Sequence, residues 1–110
     1  MKGWIDLNTT EQFDTLIEKS NSETIIVFKH STRCSISSMA ERRLLDIDTA
    51  NEKASFYYLD LIAHRSLSNY ISEVLKETHE SPQILIIKNG GCTYDASHME
   101  ITAKEIIENL

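Results

Sequence analysis

The chain is short of most residues that mark a specialised architecture. It has two cysteines, one proline, three glycines and one tryptophan in 110 residues, and 11 lysines and arginines against 17 aspartates and glutamates. Two cysteines cannot build the disulfide framework of a small secreted scaffold, so each is either a packing residue or a chemical one. The scarcity of glycine and proline leaves no linker, repeat or low-complexity tract, and makes each of them a readable punctuation mark. A net charge of −6 repels nucleic acid and anionic membrane, which argues against either as a general partner. Apolar runs are short: the Ile-Leu-Ile-Ile run at 84–87 is far below the roughly 20 residues of a membrane span. Residues 1–6 lack the apolar core and cleavage site of a secretory leader. The expectation is a cytoplasmic protein forming one domain over residues 1–110, whose 41% hydrophobic content suffices to bury a core without metals or cross-links.

What is present is periodic. After a short edge strand at 4–7, a capping box from Thr9 to Gln12 opens a helical stretch with Phe13, Leu16 and Ile17 on one side. Residues 25–28, Ile-Ile-Val-Phe, read as a strand buried on both faces. A second helical stretch follows Cys34, with Ile36, Met39, Ala40, Leu44 and Ile47 predicted inward and Glu41, Arg42 and Asp46 turned elsewhere. Residues 56–61 read as a third strand, and Leu67, Tyr70, Ile71, Val74 and Leu75 mark a third helix. Pro82 opens a fourth strand, and Asn89-Gly90-Gly91 signals a hairpin into residues 92–94. A capping box from Thr102 to Glu105 starts a last helix with Ile106, Ile107 and Leu110 inward. The order βαβαβαββα predicts an α/β fold with parallel right-handed crossovers, an antiparallel edge from the closing hairpin, and helices on both faces of a small mixed sheet. That is the thioredoxin-like arrangement.

Cys34 falls between the buried strand and an amphipathic helix, on the helix's first turn. Unpaired N–H groups and the positive end of the dipole favour a thiolate there. Arg33 beside it, with Lys29 and His30 near, adds positive potential. The expectation is a reactive nucleophile; the alternative is a free cysteine packed in the core. Three residues on, where a dithiol oxidoreductase carries its resolving cysteine, the chain has Ser37. Its hydroxyl either donates to the Cys34 thiolate or is a plain first-turn residue, but it cannot release a mixed disulfide. The site is therefore monothiol. Cys92 lies beyond the hairpin, about seven strand residues or roughly 23 Å from the Cys34 end, against the ~7 Å Cα separation a disulfide allows. It is expected to pack.

Pro82 is either trans or, as the element order favours, cis. In the cis form Ser81 offers an extended, thiol-bearing substrate a main-chain hydrogen-bonding edge beside the sulfur. His79 is either a solvated loop residue or a group that tunes Cys34 or meets an anionic thiol ligand. Glu80 reads as solvated, His30 and His98 are weaker candidates, and His64 reads as a helix cap or a solvent-facing residue. No Cys or His pair has the close spacing of a zinc site, so no metal is expected.

Three blocks together, Lys29-His30-Ser31-Thr32-Arg33-Cys34-Ser35-Ile36-Ser37, Tyr57-Tyr58-Leu59-Asp60 and His79-Glu80-Ser81-Pro82-Gln83, resemble the YtxJ family, the monothiol bacilliredoxins. The similarity runs from Trp4 through the Ser97-His98 and Ile101-Thr102 segments. It implies a thioredoxin-like fold, Cys34 as the attacking thiolate, Pro82 as the cis-proline, and Ser81, Pro82 and Gln83 as the substrate-binding edge. Members of the family are implicated in removing bacillithiol from mixed disulfides on proteins. Where the family's usual motif reads Thr-Cys-Pro-Ile-Ser, this chain has Arg33-Cys34-Ser35-Ile36-Ser37. Ser35 restores an N–H and a hydroxyl that proline lacks, and Arg33 adds charge; with Ser37 and His79 they form the expected thiolate-supporting set. The effect on rate has two signs, because a stabilised thiolate leaves faster and attacks more weakly.

The function expected is that of a monothiol thiol-disulfide oxidoreductase with no tightly bound cofactor. Cys34 takes a small thiol, bacillithiol or a similar one, from S-thiolated proteins, and a second small-thiol molecule or a recycling reductase regenerates it. Two other classes are kept open. One is a thioredoxin-like binding module that holds a partner on the Ser81-Pro82 edge without turnover. The other is an iron–sulfur carrier dimer using Cys34 and a small thiol, as in some monothiol glutaredoxins.

Overall fold

In the computed structural model, which describes residues 1–50 and 54–110, the chain runs β1 (Ile5–Asp6), α1 (Thr10–Lys19), β2 (Thr24–His30), α2 (Ser35–Leu44), β3 (Ala54–Asp60), α3 (Arg65–Leu75), β4 (Gln83–Lys88), β5 (Gly91–Ser97), a 3-10 turn (His98–Glu100) and α4 (Ala103–Glu108). The order is the predicted one. β2, with its β-branched and aromatic run, takes the central place in a sheet ordered β1-β3-β2-β4-β5, where both faces are covered. β1 and β2 each pair parallel with β3.

The antiparallel part is larger than the sequence pattern predicts. β5 pairs antiparallel with β4 as expected, but β4 itself runs antiparallel to β2, with Ile25 opposite Ile87 and Lys29 opposite Gln83. The reason is the connection. Lys76 takes a left-handed conformation at φ 56° and ends α3. The stretch 77–82 is then long enough, at up to ~3.3 Å per residue, to run back along a helix of 11 residues, roughly 16 Å long. β4 therefore starts at the end of the sheet where β3 stopped.

The pleat of β2 divides the core in two. Ile26 and Phe28 pack with Trp4, Ala40, Leu44, Ile47 and Ile106 under α2 and α4. Ile25 and Val27 pack with Phe13, Leu16, Leu67, Ile71 and Leu75 under α1 and α3. Ala40, Leu44 and Ile47 are buried as predicted, but the inner face of α2 also takes Ser37, while Ile36 and Met39, expected inward, are each 40% exposed. The buried residues follow i, i+3, i+7 spacing, and Ile36 and Met39 sit one residue, about 100°, off that stripe. Val74 and Ile107, also expected inward, are exposed.

Local signals hold at the ends. Thr9 Oγ1 accepts the Gln12 N–H at 3.1 Å, although the Gln12 side chain reaches Asn8 N–H and Asp6 C=O and not Thr9 itself. Thr102 Oγ1 accepts the Glu105 N–H. Asn89 and Gly90 both have positive φ, 51° and 82°, as a two-residue hairpin turn matched to the strand twist requires. Among the described residues no helix is long and apolar enough to cross a membrane.

Candidate active site

The C-terminal end of β2 builds the site. Its last two residues, Lys29 and His30, are 0% and 3% exposed, and alternation sends them to opposite faces of the sheet. Residues 31–34 then turn into α2. Cys34 is the N-cap of α2, with extended φ −113° and ψ 123°, one position earlier than the first-turn placement expected from sequence. Its N–H donates to Ser31 C=O at 3.2 Å, and its C=O accepts the Ser38 N–H at 3.0 Å. The thiol is free and half-buried. Thr32, Arg33 and Ser35 around it are exposed.

Ser37, one turn into α2, is fully buried. Its oxygen accepts the Ser31 N–H at 2.9 Å and lies 2.7 Å from His30 Nδ1. His30 in turn places Nε2 3.4 Å from Glu41 Oε2, and its ring packs between Phe28 and Tyr58 at centroid distances of 5.5 and 5.6 Å. Burial and the neighbouring Glu41 carboxylate push the Tyr58 phenol up to about 12. The hydroxyl that stands where a dithiol enzyme has its second sulfur is thus tied inward, and it clips the turn that carries Cys34.

On the other face, Lys29 Nζ donates to Ser68 C=O at 3.2 Å, Ser72 Oγ at 2.9 Å and His79 Nδ1 at 3.4 Å. An ammonium only donates, so His79 Nδ1 is an acceptor and its ring is neutral in this arrangement. Burial pulls Lys29 down to about 8. Burial and then the charge of Lys29 hold His79 below its ordinary value. His79 therefore meets Lys29 and α3, so its contacts brace the 77–82 loop. That loop delivers Ser81 and Pro82, joined by a cis peptide bond, to the end of the sheet from which Cys34 emerges. Pro82 C=O accepts the His98 N–H at 3.1 Å. Gln83 is 1% exposed and its Nε2 donates to Thr78 C=O at 3.0 Å, so it too turns inward. His64 occupies the N-cap of α3 without a side-chain capping bond, and His98 is exposed, 3.5 Å from Glu80.

Cys92 is elsewhere. It pairs with Ile87, beside the hairpin whose Asn89 and Gly90 N–H groups bind Ser20. Along β4, from Gln83 to Ile87, that is ~13 Å from the active end, beyond disulfide reach. Burial pushes its thiol up to about 11. Two cavities, of about 460 and 400 Å³, are lined by residues around Trp4 and Leu44 and around Ser20 and Lys88. Neither is lined by Cys34.

The monothiol bacilliredoxin (BrxC) family model matches residues 5–106. The chain belongs to that family. A solved structure described as a candidate oxidoreductase with a thioredoxin fold shares 31% identity at a TM-score of 0.82, with 94% of this chain and 90% of that one covered. Mitochondrial thioredoxin 3 of Saccharomyces cerevisiae in its oxidised form aligns at 18% identity and a TM-score of 0.76, covering 97% and 95%. Fasciola hepatica thioredoxin aligns at 15% and 0.75, covering 96% and 94%. The last two show the fold. As a bacilliredoxin of thioredoxin fold, the protein is a thiol oxidoreductase.

Three contacts of the candidate site escaped the sequence reading: Lys29 as a brace, His30 as the partner of Ser37, and Glu41 behind His30. A signal for them exists. A strand buried on both faces that ends in Lys-His must bury both, and each then needs a partner. Ser37 and Glu41, four apart, stand on one helix face opposite His30.

Proposed function

We propose that this bacilliredoxin removes a small thiol from S-thiolated proteins through Cys34. The Cys34 thiolate attacks the small-thiol sulfur of a protein–S–S–R mixed disulfide. The S–S bond of the mixed disulfide breaks, a new S–S bond joins Cys34 to the small thiol, and the protein leaves as a thiolate that takes a proton from water. A second small-thiol thiolate, or a recycling reductase, then attacks the Cys34 disulfide and regenerates the Cys34 thiolate. Bacillithiol is the small thiol that the family points to. The reaction belongs in a compartment that keeps small thiols reduced, the cytoplasm.

The observation that carries this reading is the absence of a second usable sulfur. Position 37 is a hydroxyl bonded to His30 and Ser31, and Cys92 pairs with Ile87 at the far end of β4. The half-buried Cys34, with Thr32, Arg33 and Ser35 exposed around it, supports a macromolecular disulfide as substrate, with Ser81 and Pro82 as the edge on which its extended chain docks. Arg33 and Ser35 stand exposed beside the sulfur as the groups that meet the thiol ligand.

Mass spectrometry of the protein treated with oxidised bacillithiol is expected to show one adduct, on Cys34 and not on Cys92. Cys34→Ser is expected to lose both the adduct and all transfer from an S-thiolated protein, while Cys92→Ser retains both. A Cys34→Ser protein that still removed the small thiol would overturn the reading, and partner capture surviving that change would favour a binding module.

A further inference from the structure

The buried Ser37 hydroxyl has two inward partners and one proton. Its oxygen accepts the Ser31 N–H at 2.9 Å and lies 2.7 Å from His30 Nδ1, while His30 Nε2 is 3.4 Å from Glu41 Oε2. A backbone N–H can only donate, so the Ser37–His30 contact has two forms. With His30 neutral, the Glu41 carboxylate keeps the ring proton on Nε2, Nδ1 is a bare acceptor, and the Ser37 proton is committed inward to it. With His30 protonated, Nδ1 donates instead. The Ser37 oxygen then accepts from both His30 and Ser31, and its own proton leaves the network. Cys34 is the N-cap of α2 and Ser37 its third residue, so the two stand three apart at the helix's first turn, the spacing of neighbouring side chains on a helix surface.

We propose that His30, backed by Glu41, is a positioning residue for Cys34 that acts through Ser37, holding the hydroxyl proton inward when neutral and freeing it for the Cys34 sulfur when protonated. The inference rests on the thiol-exchange reading and assigns a donor at the position where a dithiol enzyme keeps its second thiol. Only hydrogen bonds rearrange; the proton that charges His30 comes from solvent and returns to it. The groups facing His30 are Glu41 from α2 and Tyr58 and Asp60 from β3, Asp60 lying opposite it in register. Arg33 and Cys34 follow in the adjoining loop, and β4 faces this side with Ile84 and Ile86.

The test is the rate of Cys34 alkylation by iodoacetamide against pH, followed by peptide mass spectrometry, with the His30 ring titration read by NMR. On the acid side of the His30 transition the wild type is expected to react about tenfold faster than Ser37→Ala, the size of one hydrogen bond to a charged group. The two converge on the alkaline plateau, where both thiols are fully ionised. A purely structural role would lower the plateau as well. Glu41→Gln keeps the shape and removes the charge; its acid-side enhancement is expected to follow its own ring transition as read by NMR. A Ser37→Ala profile parallel to wild type throughout overturns the proposal, as does a Glu41→Gln protein whose ring titration moves while its alkylation profile does not. Alkylation involves no mixed disulfide, so loss of transfer from S-thiolated proteins with this pH profile intact would count against the proposed function and support the role of Ser37.

Discussion

Lys29 and His30 sit side by side at the end of β2, and the pleat sends them to opposite faces of the sheet. Each ties one of the two loops that meet at the active end. His30 holds the Cys34 turn through Ser37, and a carboxylate stands behind it. Lys29 holds the 77–82 loop and α3 through Ser68, Ser72 and His79, all neutral acceptors. Among the described residues no carboxylate lies within ion-pairing distance of Lys29 Nζ. The two anchors therefore differ in kind. The His30 side rests on a hydroxyl–imidazole–carboxylate chain with a place for each proton. The Lys29 side buries a cation whose only compensation is hydrogen bonding, and burying such a charge is costly.

That difference can be broken most directly at Lys29. Lys29→Ala removes a fully buried side chain and takes the ammonium donor from Ser68 C=O and Ser72 Oγ, while His79 Nδ1 keeps the Ser68 hydroxyl 3.1 Å away. The expected loss is about 2 to 5 kcal/mol in urea unfolding at pH 7, from the cavity and the orphaned groups together. A loss under about 1 kcal/mol would mean that the 77–82 loop is held by other contacts.

Lys29→Met sharpens the comparison by keeping volume and removing charge. Lys29 falls from 10.5 to about 8 in the folded protein, so between those values the unfolded chain binds more protons than the folded one. Stability then rises with pH across that window, because the cost of the buried cation, fully present below pH 8, is progressively relieved. Wild type is expected to gain up to about 3 kcal/mol on Lys29→Met between pH 8 and pH 10.5. A constant difference between the two proteins across that range would show that Lys29 keeps its charge at no cost.

The smallest effect is expected at His79, which is partly exposed. Its folded value lies below the ordinary 6.5, through burial first and Lys29 second. On acidification through 6.5 the unfolded chain takes up the proton first, so stability falls as pH drops. His79→Gln retains an acceptor for Lys29 and is expected to flatten that acid slope, read from urea midpoints at pH 7 and pH 5. Identical slopes would separate His79 from the Lys29 side.

Much of the fold was legible because its signals are local. The double-sided burial of residues 25–28, the caps at Thr9 and Thr102 and the Asn89-Gly90 turn are each decided within a few residues. The direction of β4 was not, since it depends on whether residues 77–82 run back along α3. The inward side of α2 was misjudged for a related reason. Hydrophobicity pointed to Ile36 and Met39 beside Ala40 and Leu44, but the helix turns Ser37 in their place to the sheet, where His30 needs a partner.

By itself the sequence determined the element order, the place of Cys34 at the strand-to-helix junction and the missing thiol at position 37, because these follow from composition and short-range spacing. Only the tertiary structure decided that the hydroxyl at 37 is bonded to His30, that Lys29 braces the loop carrying Ser81 and Pro82, and that Gln83 turns inward. These contacts join residues 50 apart along the chain, as Lys29 and His79 are, or depend on which face of the pleat a neighbour takes. Burial compels each such group to find a partner, and no local pattern says which one it will be.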